Sequence, residues 1–217
     1  MRVLVVTAVD AERTAVLRGL VGSSAPVTVL ATGVGQSRAA AATADACARF
    51  DPDLVVCAGM AGVLPGRAQL GDVLLASRVV AAQLGVERSD AEAPDGLRVR
   101  GEPWAPFRLA CDQRLVALVG ERLTGTARVV TGEILTVDTV TASAARAQEL
   151  LRDFDEGIGE AMEGFGARIG AGNRPFVEVR TTSNVVGPRD RGAWRTTQAL
   201  DRLTEVARAV LCEEIRW

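Results

Sequence analysis

Histidine, tyrosine and lysine are absent from the sequence, so all 25 basic residues are arginine. Histidine is the usual general base and metal ligand in proteins, and lysine is the residue that forms Schiff bases. Catalysis by serine–histidine or cysteine–histidine pairs, Schiff-base chemistry and histidine metal sites are therefore excluded within this chain. If the protein is an enzyme, aspartate, glutamate, asparagine and bound water must carry its chemistry.

Cysteines and long apolar runs are also scarce. The four cysteines show no CxxC spacing, so we interpret them as buried free thiols rather than disulfides or metal ligands, and we expect no cofactor. The first residues carry too short an apolar run for a signal peptide, and no later run has the length of a membrane span. We expect a cytoplasmic protein that does not interact with membranes.

The formal net charge is only −2, and the arginines are spread along the chain rather than gathered into blocks. This distribution gives no reason to expect nucleic acid as a partner. A chain of 217 residues with 48% apolar composition is long enough for one well-packed domain and short for two. We expect a single domain over residues 1–217.

Apolar runs alternate with helical patterns, which indicates an α/β sheet buried on both faces. The predicted strands are Arg2–Ala8, Val27–Thr32, Leu54–Ala58, Asp72–Ala82, Ala127–Thr131, Ile134–Val137 and Pro175–Thr182. The predicted helices are Ala11–Leu20, Gln36–Arg49, Cys111–Leu123, Ala142–Arg152, Glu160–Ala171 and Trp194–Ile215. Residues 85–100 are predicted as a hairpin and residues 101–107 as a loop with exposed aromatics. The expected architecture is a three-layer α/β/α sandwich.

Ligands of open α/β sheets bind beyond the carboxyl ends of the strands. The candidates at such positions are Asp10 and Glu12, the loop Gly33-Val-Gly35, the segment Gly59-Met60-Ala61-Gly62, and Ser183 with Asn184. The loop Gly33-Val-Gly35 lacks the third glycine of a dinucleotide-binding fingerprint. Two interpretations remain: a tight turn between strand and helix, or a stretch of backbone that contacts a smaller ligand. The small residues of the second segment suit either a close ligand or close packing.

Two carboxylates and one amide are singled out by their surroundings. Glu12 lies one turn into the first predicted helix, where a solvated surface position is the ordinary alternative. Glu163 has small and apolar neighbours, which suggests that it faces an interior, and a buried carboxylate needs partners such as the hydroxyls of a ribose. Asn184 follows a predicted strand, and asparagine is also common there as a turn or capping residue with no role in binding.

Taken in order, these segments resemble the nucleoside phosphorylase and nucleosidase superfamily, which includes methylthioadenosine/S-adenosylhomocysteine nucleosidases and futalosine hydrolases. The resemblance is carried by Val5–Glu12, Thr32–Gly35, Ala58–Gly62 with Gly71-Asp72, Gly132–Asp138, Ala161–Glu163 and Arg180–Asn184. It implies a central mixed, twisted sheet, a small-molecule purine nucleoside as ligand, and a homo-oligomer in which a dimer is favoured.

The resemblance also implies roles for individual residues. Cleavage of an N-glycosidic bond builds positive charge on the sugar and negative charge on the departing base. Glu12 aligns with the glutamate that holds and deprotonates the attacking water. Glu163 aligns with the glutamate that binds the ribosyl hydroxyls, and Met162 is expected to lie against the ribose.

Asn184, which follows Ser183, departs from the pattern of the adenine-specific members, which carry an aspartate at this place. An amide offers both a donor and an acceptor, so its NH2 group suits the O6 or N7 atom of a 6-oxopurine. An ionised carboxylate would instead face O6 as acceptor against acceptor. We therefore predict hypoxanthine rather than adenine as the base.

Among 6-oxopurine nucleosidases, the futalosine hydrolase family is the most similar, through Ala161–Gly166 and through Ser183–Asp190 followed by Trp194. Futalosine carries an aromatic carboxylate beyond the ribose. Trp104 and Phe107 are candidates for the apolar surface that contacts this aromatic group, across a subunit interface or within one chain. Arg189 or Arg191 is a candidate for the cation that binds its carboxylate. Packing or surface roles are open alternatives for all four.

Three rival functions stay open. A methylthioadenosine-type nucleosidase would use the same mechanism on another base. A phosphorylase would replace water by phosphate, although Met60 stands where relatives often have a small hydroxyl residue and Glu12 would repel the anion. A non-catalytic nucleoside-binding protein is the third, against which the presence of both Glu12 and Glu163 argues.

Overall fold

The structure is a computed structural model that describes residues 1–87, 98–99 and 107–212. Its strands are β1 Val3–Thr7, β2 Val27–Ala31, β3 Leu54–Val63, β4 Val73–Ala81, β5 Val86–Glu87, β6 Arg98–Val99, β7 Arg108–Ala110, β8 Val129–Thr136, β9 Gly157–Ala161 and β10 Phe176–Val185. Its helices are α1 Asp10–Gly19, α2 Gln36–Phe50, α3 Gln113–Arg122, α4 Ala144–Asp153, α5 Gly164–Ala171 and α6 Thr196–Leu211, with a 3-10 turn at Arg191–Ala193.

A mixed sheet forms the centre of the molecule, with the strand order β10-β4-β8-β9-β3-β1-β2 and with β7 paired to β4. Strand β10 pairs with β3 as well as with β4, so five strands close into a ring. In β3, the first half lies beside β1 and the second half beside β9, while β10 follows its length. The ends of β3, β9 and β10 therefore meet on one side of the ring.

Helices cover both sides of this sheet. Strand β1 lies between β2 and β3, so the connection from β1 to β2 and the connection from β2 to β3 run in opposite directions across the sheet. Because such connections are right-handed, their helices, α1 and α2, lie on opposite faces. Helix α6 packs on α1, and α5 packs on α2. All five residues of β1 are buried as a result. The predicted α/β architecture with a mixed sheet between helices is confirmed.

The sequence prediction did not include strand β7 and was wrong about two further elements. Residues 157–161 form strand β9 and only Gly164–Ala171 are helical, whereas a helix was predicted from Glu160. Glycine has a poor strand propensity, but a Cβ at Gly159 would lie 2.5 Å from the Leu74 side chain and 2.7 Å from the Gly62 carbonyl. Close packing, not local preference, selects glycine here.

The second error concerns β8, which is one continuous strand where two were predicted, with an irregular register beside Glu133. The hairpin predicted for residues 85–100 has its two ends described, and Val86–Glu87 pair antiparallel with Arg98–Val99.

Cysteines Cys47, Cys57 and Cys111 are buried free thiols, as predicted, and Cys212 is a half-buried one. Among the helices that the structure describes, none combines the length and the apolar character that a membrane crossing needs.

Candidate active site

A cavity of about 280 Å³ opens where β3, β9 and β10 end, beside the start of α1. Convergent polar groups in an otherwise apolar pocket mark a ligand site. The predicted site residues that line it are Glu12, Met60, Ala61, Met162, Glu163, Ser183 and Asn184. They come from four separate parts of the chain, so the tertiary structure has brought together most of the segments that the sequence indicated.

Glu12 is held by three backbone N–H groups. It occupies the third position of α1, and its Oε2 atom accepts hydrogen bonds from the N–H groups of Ala8 at 2.9 Å and Val9 at 3.2 Å. Its Oε1 atom accepts one from the N–H of Met60 in β3, at 2.8 Å. The positive end of the helix dipole lies at the same place. Only 3% of this residue is exposed, so the solvated surface alternative does not apply.

A carboxylate has about four acceptor positions. Three of those of Glu12 are filled by the backbone, which leaves one for a ligand or a water molecule in the cavity. The backbone thus orients the carboxylate without using up its capacity to accept a proton.

Glu163 lies at the start of α5 and is 5% exposed. Its Oε1 atom accepts a hydrogen bond from the N–H of Gly35, at 3.2 Å, which ties it to the glycine loop between β2 and α2. Its Oε2 atom is paired with the guanidinium of Arg180, at 3.2 Å. Oε2 also accepts a long hydrogen bond from the N–H of Met162, at 3.4 Å. The carboxylate is therefore buried with three donors, which leaves about one acceptor position for a ligand.

Arg180 connects the two glutamates, a role that the sequence reasoning missed. Its Nη1 atom donates to the Met60 carbonyl at 3.3 Å as well as to Glu163, while the N–H of Met60 donates to Glu12. Its Nε atom donates to Glu178 at 2.7 Å, and the arginine is 1% exposed. An arginine two residues after a glutamate in an apolar strand was the available signal, since buried charges need partners.

Gly59 does not line the cavity, in contrast to the prediction. It lies behind the carboxylate of Glu12, and a Cβ atom there would be 2.6 Å from Glu12 Oε1 and 2.8 Å from Arg180 Nη1. Its place in the site is to leave room for these two side chains.

Asn184 and Ser183 lie near the end of β10, where a register irregularity between Thr182 and Asn184 re-aims the strand against β3. The Ser183 hydroxyl donates to Asn184 Oδ1 at 2.9 Å, and Asn184 Nδ2 donates to the Val185 carbonyl at 3.3 Å. The amide is thereby oriented, with one N–H of Nδ2 left over for a ligand.

Of the residues predicted for the far end of the ligand, the structure describes Phe107, Arg189 and Arg191, and none of these three lines the cavity. Phe107 is only 8% exposed and packs in the core with the Arg108 guanidinium over its ring, so its prediction as an exposed wall of the pocket was wrong. Trp104 lies outside the described residues. Arg189 and Arg191 are exposed, and Arg189 stacks 5.7 Å from the centre of the Trp194 ring, which does line the cavity.

Residues 7–216 match the sequence model of the phosphorylase superfamily. The chain belongs to the phosphorylase superfamily. A superfamily member from Streptomyces coelicolor, a futalosine hydrolase, is 38% identical and is aligned over 94% of this chain and 93% of its own. A futalosine hydrolase from Acidothermus cellulolyticus is 40% identical over 92% of this chain and 86% of its own. The resemblance inferred from the sequence motifs is confirmed.

Two solved structures share the fold. The futalosine hydrolase of Helicobacter pylori superposes with a TM-score of 0.82 at 17% identity and covers 97% of each chain. A methylthioadenosine/S-adenosylhomocysteine nucleosidase from Colwellia psychrerythraea, in complex with adenine, superposes with a TM-score of 0.80 at 20% identity, over 100% of this chain and 98% of the other.

Proposed function

We propose that the protein is a purine nucleosidase that hydrolyses the N-glycosidic bond of futalosine and releases hypoxanthine and dehypoxanthine futalosine, a step of the futalosine pathway of menaquinone biosynthesis. The observation that carries the hydrolytic reaction is Glu12, which three backbone N–H groups orient and which retains one acceptor position in the cavity. The identity to futalosine hydrolases over nearly the whole chain supports the substrate.

The attacking water binds at the open acceptor position of Glu12. Histidine and lysine are absent from the sequence, so the general base must be a carboxylate. Glu163 is paired with Arg180, and we assign the role to Glu12, which takes a proton from the water as the water oxygen bonds to the ribosyl carbon. The bond from that carbon to the purine nitrogen breaks, and its electron pair leaves with the base. A proton from solvent completes the free base.

Glu163 binds the ribosyl hydroxyls and stabilises the positive charge that develops on the sugar. Arg180 acts as a positioning residue in this step, because the same guanidinium contacts Glu163 and the carbonyl of Met60, whose N–H orients Glu12. Met162, on the cavity wall, lies against the ribose.

Asn184 stabilises the departing base. Ser183 occupies the amide oxygen, so an Nδ2 N–H is presented to O6 or N7 of the purine. A neutral donor suits a 6-oxopurine, and this is the reason for preferring hypoxanthine over adenine.

Chromatographic detection of the free base tests the proposal. Purified protein is incubated separately with futalosine, inosine and methylthioadenosine, each with and without phosphate. Hypoxanthine released from futalosine without phosphate supports the proposal. Adenine released only from methylthioadenosine would assign the alternative nucleosidase, strict dependence on phosphate would assign a phosphorylase, and binding without release would assign a non-catalytic protein.

We also propose that the protein is cytoplasmic and forms a homodimer. The four free thiols suit a reducing compartment. Val34 and Val140 line the cavity and are 48% and 36% exposed, and a second subunit would cover them. Sedimentation as a monomer at micromolar concentration would contradict the dimer.

A further inference from the structure

A third buried carboxylate lines the cavity, and the reaction described above does not use it. Glu160 lies on β9, is 5% exposed, and belongs to the wall that also contains Ala161 and Val140. Both of its oxygens accept hydrogen bonds from a single residue: Oε1 from the N–H of Thr141 at 2.9 Å, and Oε2 from the Thr141 hydroxyl at 2.6 Å.

These two bonds set the polarity of the wall. The N–H of Thr141 is consumed by the carboxylate and is not free to donate to a ligand. Two acceptor positions of Glu160 are filled and about two are left. A ligand on this side of the cavity therefore meets an acceptor.

Glu160 and Asn184 flank the same residue of β3 from opposite sides. Gly62 is paired in register with Glu160 of β9 and with Asn184 of β10. Directly paired residues project from the same face of a sheet, and a Cβ at Gly62 would lie 3.1 Å from Asn184 Nδ2, which shows that these two share a face. Two strand spacings separate the backbones of Glu160 and Asn184 by about 10 Å. Gly62 itself places no side chain between them, and the Val186 side chain approaches this face, 2.9 Å from the position of a Gly62 Cβ.

We propose that Glu160 selects the base by accepting the N1–H of a 6-oxopurine while Asn184 donates to O6 or N7. The inference rests on the proposed function, because it takes a purine nucleoside as the substrate. The carbonyl O6 lies between N1 and N7 along one edge of hypoxanthine, so an acceptor and a donor on the two sides of the cavity match that edge. Adenine has an unprotonated N1 and would present a lone pair to the carboxylate.

The surroundings of Glu160 agree with such a partner. Burial raises the pKa of this carboxyl, and the two hydrogen bonds from Thr141 offset the rise only in part. A purine N–H supplies a further donor to a carboxylate that is short of them, whereas a lone pair would add to the cost.

The variant Glu160→Gln reverses the polarity and keeps the shape. Its amide oxygen can accept from the N–H of Thr141, and its NH2 group can donate to the Thr141 hydroxyl, which leaves an N–H in the direction that the carboxylate oxygen occupied. Calorimetric affinities of the folded variant for hypoxanthine and adenine are the measurement. We expect hypoxanthine to bind about 10- to 100-fold more weakly and adenine to bind more tightly, as for a mismatched polar pair.

Equal weakening of both bases would assign Glu160 a structural role and overturn the proposal, as would unchanged affinities. Glu156→Gln is the matched control, because Glu156 is an exposed residue just before the same strand, with its carboxylate paired to Arg78; it is expected to change neither affinity.

A comparison on the wild-type protein does not depend on any variant folding. Methylation of N1 removes the donor, so 1-methylhypoxanthine is expected to bind at least about 10-fold more weakly than hypoxanthine, and equal binding overturns the proposal. Binding of the free base needs no turnover. If no nucleoside is cleaved but the base affinities change as expected, the proposed function fails and the recognition by Glu160 stands. If futalosine is cleaved but the base affinities do not change, the proposed function stands and the recognition by Glu160 fails.

Discussion

Gly59 lies against Glu12 so closely that no side chain fits between them: a Cβ atom would stand 2.6 Å from Oε1 of the glutamate. The same atom would stand 2.8 Å from Nη1 of Arg180. The glutamate assigned to water activation and the arginine that positions the ribose-binding Glu163 are thus packed against one backbone position in β3.

The substitution Gly59→Ala is expected to displace Glu12 or Arg180 and to lower kcat by about 100-fold or more, since a misplacement of about 1 Å costs that much. Steady-state kinetics of base release measure it. Gly120→Ala is the matched control, because a Cβ there meets only Leu75 at 3.8 Å. Alanine in the interior of α3 should raise the free energy of unfolding by about 1 kcal/mol and leave kcat unchanged. Full activity of Gly59→Ala would contradict the packing described.

The substitution Glu12→Gln removes the proposed base and places an amide NH2 group among backbone N–H donors. We expect kcat to fall by about 10²- to 10⁴-fold and the free energy of unfolding to fall by about 1–3 kcal/mol, with hypoxanthine binding retained. Single-turnover base release, calorimetry and denaturant unfolding measure the three effects. Glu205→Gln is the control, because Glu205 is half exposed and paired with Arg202 on the surface of α6. Retention of activity in Glu12→Gln would exclude this glutamate as the base.

The substitution Asn184→Asp is expected to move the preference toward aminopurine nucleosides. One oxygen of the aspartate keeps the hydrogen bond from Ser183, and the other faces the Val185 carbonyl and presents an acceptor to O6. We expect kcat/KM for inosine to fall by about 10- to 100-fold relative to that for adenosine. An unchanged ratio would remove the reason for assigning hypoxanthine from Asn184.

Thiol reactivity gives a test of the core. Burial raises the pKa of Cys111 to about 12 and that of Cys57 well above its usual value, and it also raises the pKa of Cys47. A raised pKa leaves less thiolate, the reactive form, at any given pH. At pH 8 we expect Ellman's reagent to label only Cys212 in the native protein and all four cysteines after unfolding. Rapid labelling of the Cys212→Ser variant would show that at least one of the three buried cysteines becomes exposed in the native protein.

Sequence patterns determined the fold class and the segments from which the site is built. Strand β1 and helix α1 follow from an apolar run succeeded by a helical pattern, which are properties of neighbouring residues. Glu12, Glu163 and Asn184 were located because each belongs to a short motif at a strand or helix end, and the order of those motifs is itself a property of the sequence.

Only the tertiary structure decided which groups meet. Arg180 joins Glu163 to Met60, Glu160 faces the cavity, and Gly59 accommodates Glu12 through contacts between residues distant in the chain. Phe107 is buried for the same kind of reason, since its apolar side chain packs where the fold, and not its local sequence, excludes water. Hydrogen bonds and close packing between distant segments leave no periodic trace in the sequence, so these parts of the site depend on the closed ring of strands that assembles them.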